Sequence, residues 1–179
     1  MNTEDTQIRF SAEDEDLFNS ARLLLLFDVL EGHGIKGGIN IERAAYYDFF
    51  SAQPFLVLGK GEKDIKFELL YEGFESTTIG YISSSQRFAN RREKLKHYLA
   101  GLLTLDLIKV SNADGQLVYS ITKEGKCVAS KFKSLYTKAY RKSGRIITNK
   151  LSKMSNKKLA ENAREWLKAE PFLIDLYDF

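Results

Sequence analysis

The chain has 179 residues, 44% of them hydrophobic and 28% charged, with 12 Phe, 9 Tyr and 2 Pro. This excludes a disordered or collagen-like protein and fits one aromatic-rich globular domain, or one with an elaborated terminus, long enough to fold without metal or disulfide. The net charge of +3 conceals a division: residues 1–90 carry 8 Lys+Arg against 15 Asp+Glu, and residues 91–179 carry 19 against 9, so −7 is followed by +10. Such a polarity suits a bridging subunit better than a neutral small-molecule enzyme.

The single Cys127 cannot form an intramolecular disulfide, and no CxxC or Cys/His cluster offers a zinc site. Residues 1–10 lack the basic and then apolar pattern of a signal peptide, and the longest apolar run, residues 23–27, is far short of the roughly 20 residues that span a bilayer. The expected location is the cytoplasm, and no cofactor is expected.

In chain order, residues 1–17 are polar, include the run Glu13-Asp14-Glu15-Asp16, and are expected to be a disordered N-terminus. Asn19 or Ser20 is positioned to cap a helix running through Leu30, apolar nearly all round and therefore central to the domain. Glu31-Gly32-His33-Gly34 ends it. Asn40 caps a second helix from Ile41 to about Ser51, closed by Pro54. Residues 55–85 read as an insert in which Phe55-Leu56-Val57-Leu58 and Phe67-Glu68-Leu69-Leu70-Tyr71 form short strands or irregular structure.

A long helix is predicted over 86–105, with Phe88, Leu95, Leu99, Leu102 and Leu103 as its apolar stripe. Two apolar runs, 107–110 and 117–121, flank Asn112-Ala113-Asp114-Gly115 and predict a β-hairpin. Thr122 caps a further long helix, which Gly144 is expected to interrupt, and Ser155 caps a last one through Lys168. Three helices followed by a hairpin predict a mainly α fold with a small β component. The expected architecture is a winged-helix domain over 18–122, with an insert at about 53–85, and a basic helical extension with an apolar tail over 123–179.

Catalytic motifs are weak. Gly32-His33-Gly34-Ile35-Lys36-Gly37 fits G-x-G-x-x-G, but it follows a buried helix rather than a strand and reads as a connection. No P-loop occurs. His33 and His97 lack a partner nucleophile and read as surface or half-buried residues, and Cys127 as a small packing residue. Asp28 and Asp48 read as structural carboxylates. No enzyme is expected.

From Lys123 to Lys158 there are 12 Lys+Arg and one acid, Glu124, a field suited to nucleic acid or an acidic partner. The candidate surface comprises Arg91, Arg92, Lys131, Lys138, Arg141, Lys142, Arg145 and Lys150. The apolar tail Phe172, Leu173, Ile174, Leu176 and Tyr177 is a candidate docking segment, closure of the protein's own core being the other reading.

Phe18-Asn19-Ser20 leading into Leu23-Leu24-Leu25-Leu26, then Tyr47-Asp48-Phe49-Phe50, Arg91-Arg92-Glu93-Lys94-Leu95, the hairpin and a helix containing Tyr136 form an order over 18–168. That order resembles the middle component of bacterial ABC-three-component systems and the small subunit of Lamassu-type antiviral defence operons. The resemblance implies a non-catalytic partner of an SMC-like ABC ATPase, accompanied by an effector such as a nuclease, that contacts double-stranded DNA in some complexes. The stretch of about thirty residues between the second and third helices is longer than a compact helix-turn-helix has. The alternative is a stand-alone winged-helix transcription regulator, with Arg87, Arg91, Arg92, Lys94 and Lys96 on its groove-facing helix and Lys109 on the wing.

Overall fold

The computed structural model describes residues 16–75 and 83–168. It is mainly helical with one small antiparallel sheet. In order come α1 (Asp16–Gly32), α2 (Ile41–Ala52), a 3-10 turn (Pro54–Leu56), α3 (Lys63–Tyr71), α4 (Ser84–Thr104), β1 (Ile108–Ala113), β2 (Gln116–Ile121), α5 (Lys123–Lys131), α6 (Leu135–Leu151) and α7 (Asn156–Lys168).

Helix α1 is the hub, because its apolar residues leave it almost no face for water. Leu23 through Phe27, Val29 and Leu30 are all buried, and the helix packs against α2, α4, α5, α6 and β2. It begins at Asp16, earlier than expected, because Asn19 does not cap it. The Asn19 side chain is buried and accepts a hydrogen bond from Arg22 Nη2 at 2.5 Å. At the other end Ile35 N donates to Leu30 O and Gly34 N to Glu31 O, with Gly34 at φ +87°: a Schellman ending. The glycine string is therefore a helix stop and connection.

Asn40 caps α2 as predicted, its Oδ1 accepting from Arg43 N at 2.9 Å. The hairpin is also as predicted, with Ile108 opposite Ile121 and Ala113 opposite Gln116. Asp114 and Gly115 both have positive φ (51° and 78°), as a two-residue turn matched to strand twist requires. Ile39 makes an antiparallel bridge to Tyr119 on the outer side of β2. Gly38 permits it: a Cβ there would lie 2.5 Å from Tyr119 O.

Three expectations are corrected. Residues 63–71 form helix α3, not a strand, and Pro54 opens a 3-10 turn. Only Leu69 of α3 is buried; the surface of the element is set by charge rather than by apolar alternation. Gly144 does not interrupt its helix. The break lies at residues 132–134, where Ser134 Oγ accepts from Thr137 N and starts α6 afresh. Gly144 is buried within α6 on the face that meets α1, where an added Cβ would make an ordinary contact with Val29 Cγ1 at 3.4 Å. Cys127, expected to pack, is exposed on α5.

Aromatic rings join α2, α4 and α7. Phe88 stacks on Tyr46 at 5.2 Å and meets Phe49 edge-on at 5.3 Å, and Phe50 meets Trp166 edge-on at 5.3 Å. The junction of hairpin and α5 depends on Thr122, whose Oγ1 accepts from Gly125 N at 3.0 Å and donates to Asp106 O at 2.6 Å. Thr122→Ala removes both bonds and is expected to cost about 1–2 kcal/mol, read as a lower urea midpoint with an unchanged m-value.

Candidate partner interface

The candidate site begins from the opposed charges of the two halves, and the fold brings those halves together. Lys126 reaches Glu31 at 2.7 Å, Arg91 reaches Asp48 at 2.6 Å, and Lys142 reaches Glu68 at 2.9 Å and Glu72 at 2.8 Å. Arg92 pairs with Glu42, Arg141 with Asp28, and Lys150 with Glu62. Six of the 19 Lys and Arg of the back half are thus paired with acids of the front half.

Five of the eight residues expected to form a basic surface take part: Arg91, Arg92, Arg141, Lys142 and Lys150. Lys131, Lys138 and Arg145 are exposed and have no ion-pair partner among the described residues. Lys138 and Arg145, seven positions apart, share one flank of α6, with the engaged Lys142 between them. The predicted docking tail, Phe172 to Tyr177, lies outside the described residues, as do most of the acidic N-terminal residues.

The acids responsible were missed. Glu62, Glu68 and Glu72 bracket α3 and lay it along α6 through Lys142 and Lys150. Burial works to raise the Glu62 pKa, but Lys150 and the Gly59 N–H outweigh it and hold the carboxyl below its ordinary range. The Glu72 and Glu68 carboxylates raise the Lys142 pKa above the usual lysine value.

At the centre lies an ionic cluster in the core. Asp48 of α2 receives Arg22 Nε of α1 at 3.2 Å, Arg91 Nε of α4 at 2.6 Å and the Tyr140 hydroxyl of α6 at 3.3 Å. Four helices therefore converge on one carboxylate. Arg22 is 2% exposed, so its charge needs a partner. Burial opposes the Arg22 charge, yet Asp48 and the neighbouring Tyr136 and Tyr140 outweigh it, and its pKa stands above the ordinary arginine value. Burial first, and Asp48 second, push the Tyr140 hydroxyl well above its usual pKa. Arg91 also lies over the Phe49 ring at 6.0 Å. The signal for this cluster was available: Arg22 stands inside an otherwise apolar helix, and Asp48 stands between Tyr47 and Phe49.

The other singled-out residues are dispersed. Asp28 holds Arg141, exposed His33 Nε2 lies 3.1 Å from Asn149 Oδ1, and exposed His97 lies 3.5 Å from Asp16. Among the described residues no group of three His, Cys, Asp or Glu could hold a metal ion, and no described helix is long and apolar enough to cross a membrane.

Residues 81–169, from the start of α4 through α7, match the family model of the ABC-three component (ABC-3C) system Middle Component 2. The likeness covers 89 of the 179 residues. No curated protein and no solved structure matches the chain significantly.

Proposed function

We propose that this protein is a non-catalytic accessory subunit of an ABC-three-component system. It docks on an SMC-like ABC ATPase in a bacterial antiphage defence complex of Lamassu type, alongside an effector such as a nuclease. The observation that carries this reading is the family match over α4–α7. The order of helices before a hairpin, with Ile39 bridged to β2, supports a winged helix as the scaffold. Co-expression with an SMC-like ABC ATPase of such a system is the test. Co-elution with an altered ATPase rate is expected; separate elution with no effect on that rate would remove the reading.

Lys131, Lys138 and Arg145 are the residues we assign to contact with duplex DNA, because their charges are not spent inside the fold. Engaging one phosphate each, they give a slope of log affinity against log salt of about −2.7, whereas the eight residues together would give about −7. Fluorescence anisotropy across a salt series separates the two values, and charge reversal at these three positions is expected to abolish the binding.

A further inference from the structure

The side of α4 that faces the hairpin carries an apolar groove of about 360 Å³, lined by Ile41, Lys96, Leu99, Ala100, Leu103, Leu117 and Tyr119. Pairing in the sheet sets its far wall. Val110 stands opposite Tyr119 and Asn112 opposite Leu117, so Val110, Leu117 and Tyr119 share the sheet face. Leu117 in the lining is 60% exposed, and Val110 beside it on the sheet face is 45% exposed. Large aliphatic side chains grouped in this way on an open groove mark an interaction site rather than scattered exposure.

The electrostatics of the groove specify the occupant. Its lining holds one formal charge, the Lys96 ammonium, and no carboxylate. Lys96 has no ion-pair partner among the described residues, and Ile41 brings the positive N-terminal end of α2 to the rim. One turn earlier on α4 stand Arg92, matched by Glu42, and the exposed Glu93, so the charge that faces the groove itself is Lys96 alone. The wall of α4 repeats at helical spacing (Lys96, Ala100, Leu103), a surface that receives side chains projecting from a second helix.

We propose that this groove binds an amphipathic helix of a companion subunit, with aliphatic side chains on one face and a flanking carboxylate that meets Lys96. The proposal rests on the reading of the chain as a subunit of a multi-component assembly and adds where, and by what chemistry, the docking occurs. Duplex DNA does not fit the groove, because Ala100, Leu103 and Leu117 offer phosphates nothing.

The test uses the full chain co-expressed with the SMC-like ABC ATPase of the proposed system. Ala100→Glu/Leu117→Glu changes two exposed positions, so its circular dichroism and melting temperature are expected to match the wild type. Its affinity for the ATPase is expected to fall at least 100-fold, and that of Lys96→Glu about tenfold. A photo-crosslinking amino acid at position 117 is expected to capture an acidic amphipathic helical segment of the ATPase. Wild-type affinity in the double variant would overturn the inference while leaving the subunit reading intact. Capture of residues 172–177 of this chain, of a second copy of it, or of a strand added to β1 would overturn it likewise. Failure of the wild type itself to bind the ATPase would instead bring down the subunit reading, and the inference with it.

Discussion

Asp48→Ala is expected to destabilise the protein by about 3–5 kcal/mol, the cost of leaving a buried charge uncompensated. The carboxylate holds Arg22 at 3.2 Å and Arg91 at 2.6 Å, and both guanidinium groups lie in the packed interface of α1, α2 and α4. Arg22, 2% exposed, cannot retreat to water without opening the core, and the Arg91 side chain is only 15% exposed. Neutralising Asp48 thus strands two cations side by side, and their mutual repulsion adds to the desolvation. Arg22 Nη1 and Arg91 Nη2 already lack hydrogen-bond partners among the described residues, so no local surplus of acceptors compensates. The discriminating companion is the triple variant Arg22→Met/Asp48→Leu/Arg91→Met, expected to recover most of the loss because it removes the charges together. Urea midpoints of the two variants measure the difference. A single Asp48→Ala change costing less than about 1 kcal/mol would show that the cluster does not fasten the four helices.

Legibility followed the range of the interactions concerned. The caps at Asn40 and Thr122 and the Asp114-Gly115 turn depend on neighbours within a few residues, and each stands where sequence places it. Helix α3 escapes sequence reading because its partners, Lys142 and Lys150, lie 70 and 88 residues from Glu72 and Glu62. Its apolar residues Phe67, Leu69, Leu70 and Tyr71 suggest a strand, yet only Leu69 is buried. Gly144 misleads for a different reason: a glycine within a helical pattern suggests a break, but here it lies buried in the middle of α6 against Val29 of α1. The basic surface was legible as a region and not as residues. Periodicity places Lys142 and Arg145 on one flank of α6, but only the three-dimensional position of α3 determines that the first is engaged while the second has no ion-pair partner among the described residues.

Gly125→Ala is expected to cost at least about 3 kcal/mol, at the upper end of overpacking. A Cβ built on Gly125 would lie 2.0 Å from Leu107 O, 2.9 Å from Leu107 C and 2.8 Å from Ile121 Cγ1. Normal carbon-to-oxygen contacts fall near 3.3–3.6 Å, so backbone must separate by roughly an ångström. Neither side can yield cheaply. Leu107 O accepts from Thr122 N at 3.1 Å, and Leu107 N donates to Leu102 O at 3.0 Å, closing the end of α4. Gly125 N in turn donates to the Thr122 cap at 3.0 Å. Movement therefore breaks either the cap of α5 or the ending of α4, and both position the hairpin wall of the apolar groove. Gly101→Ala provides the opposite control. Gly101 lies exposed within α4 with nothing within 4 Å of an added Cβ, so alanine is expected to stabilise by about 0.5–1 kcal/mol. Denaturant unfolding of the two variants sets close approach against helix propensity in one protein, and equal effects would refute the packing argument. Because the strain at Gly125 falls between α4 and the hairpin, Gly125→Ala is also expected to weaken partner docking while Gly101→Ala leaves it unchanged.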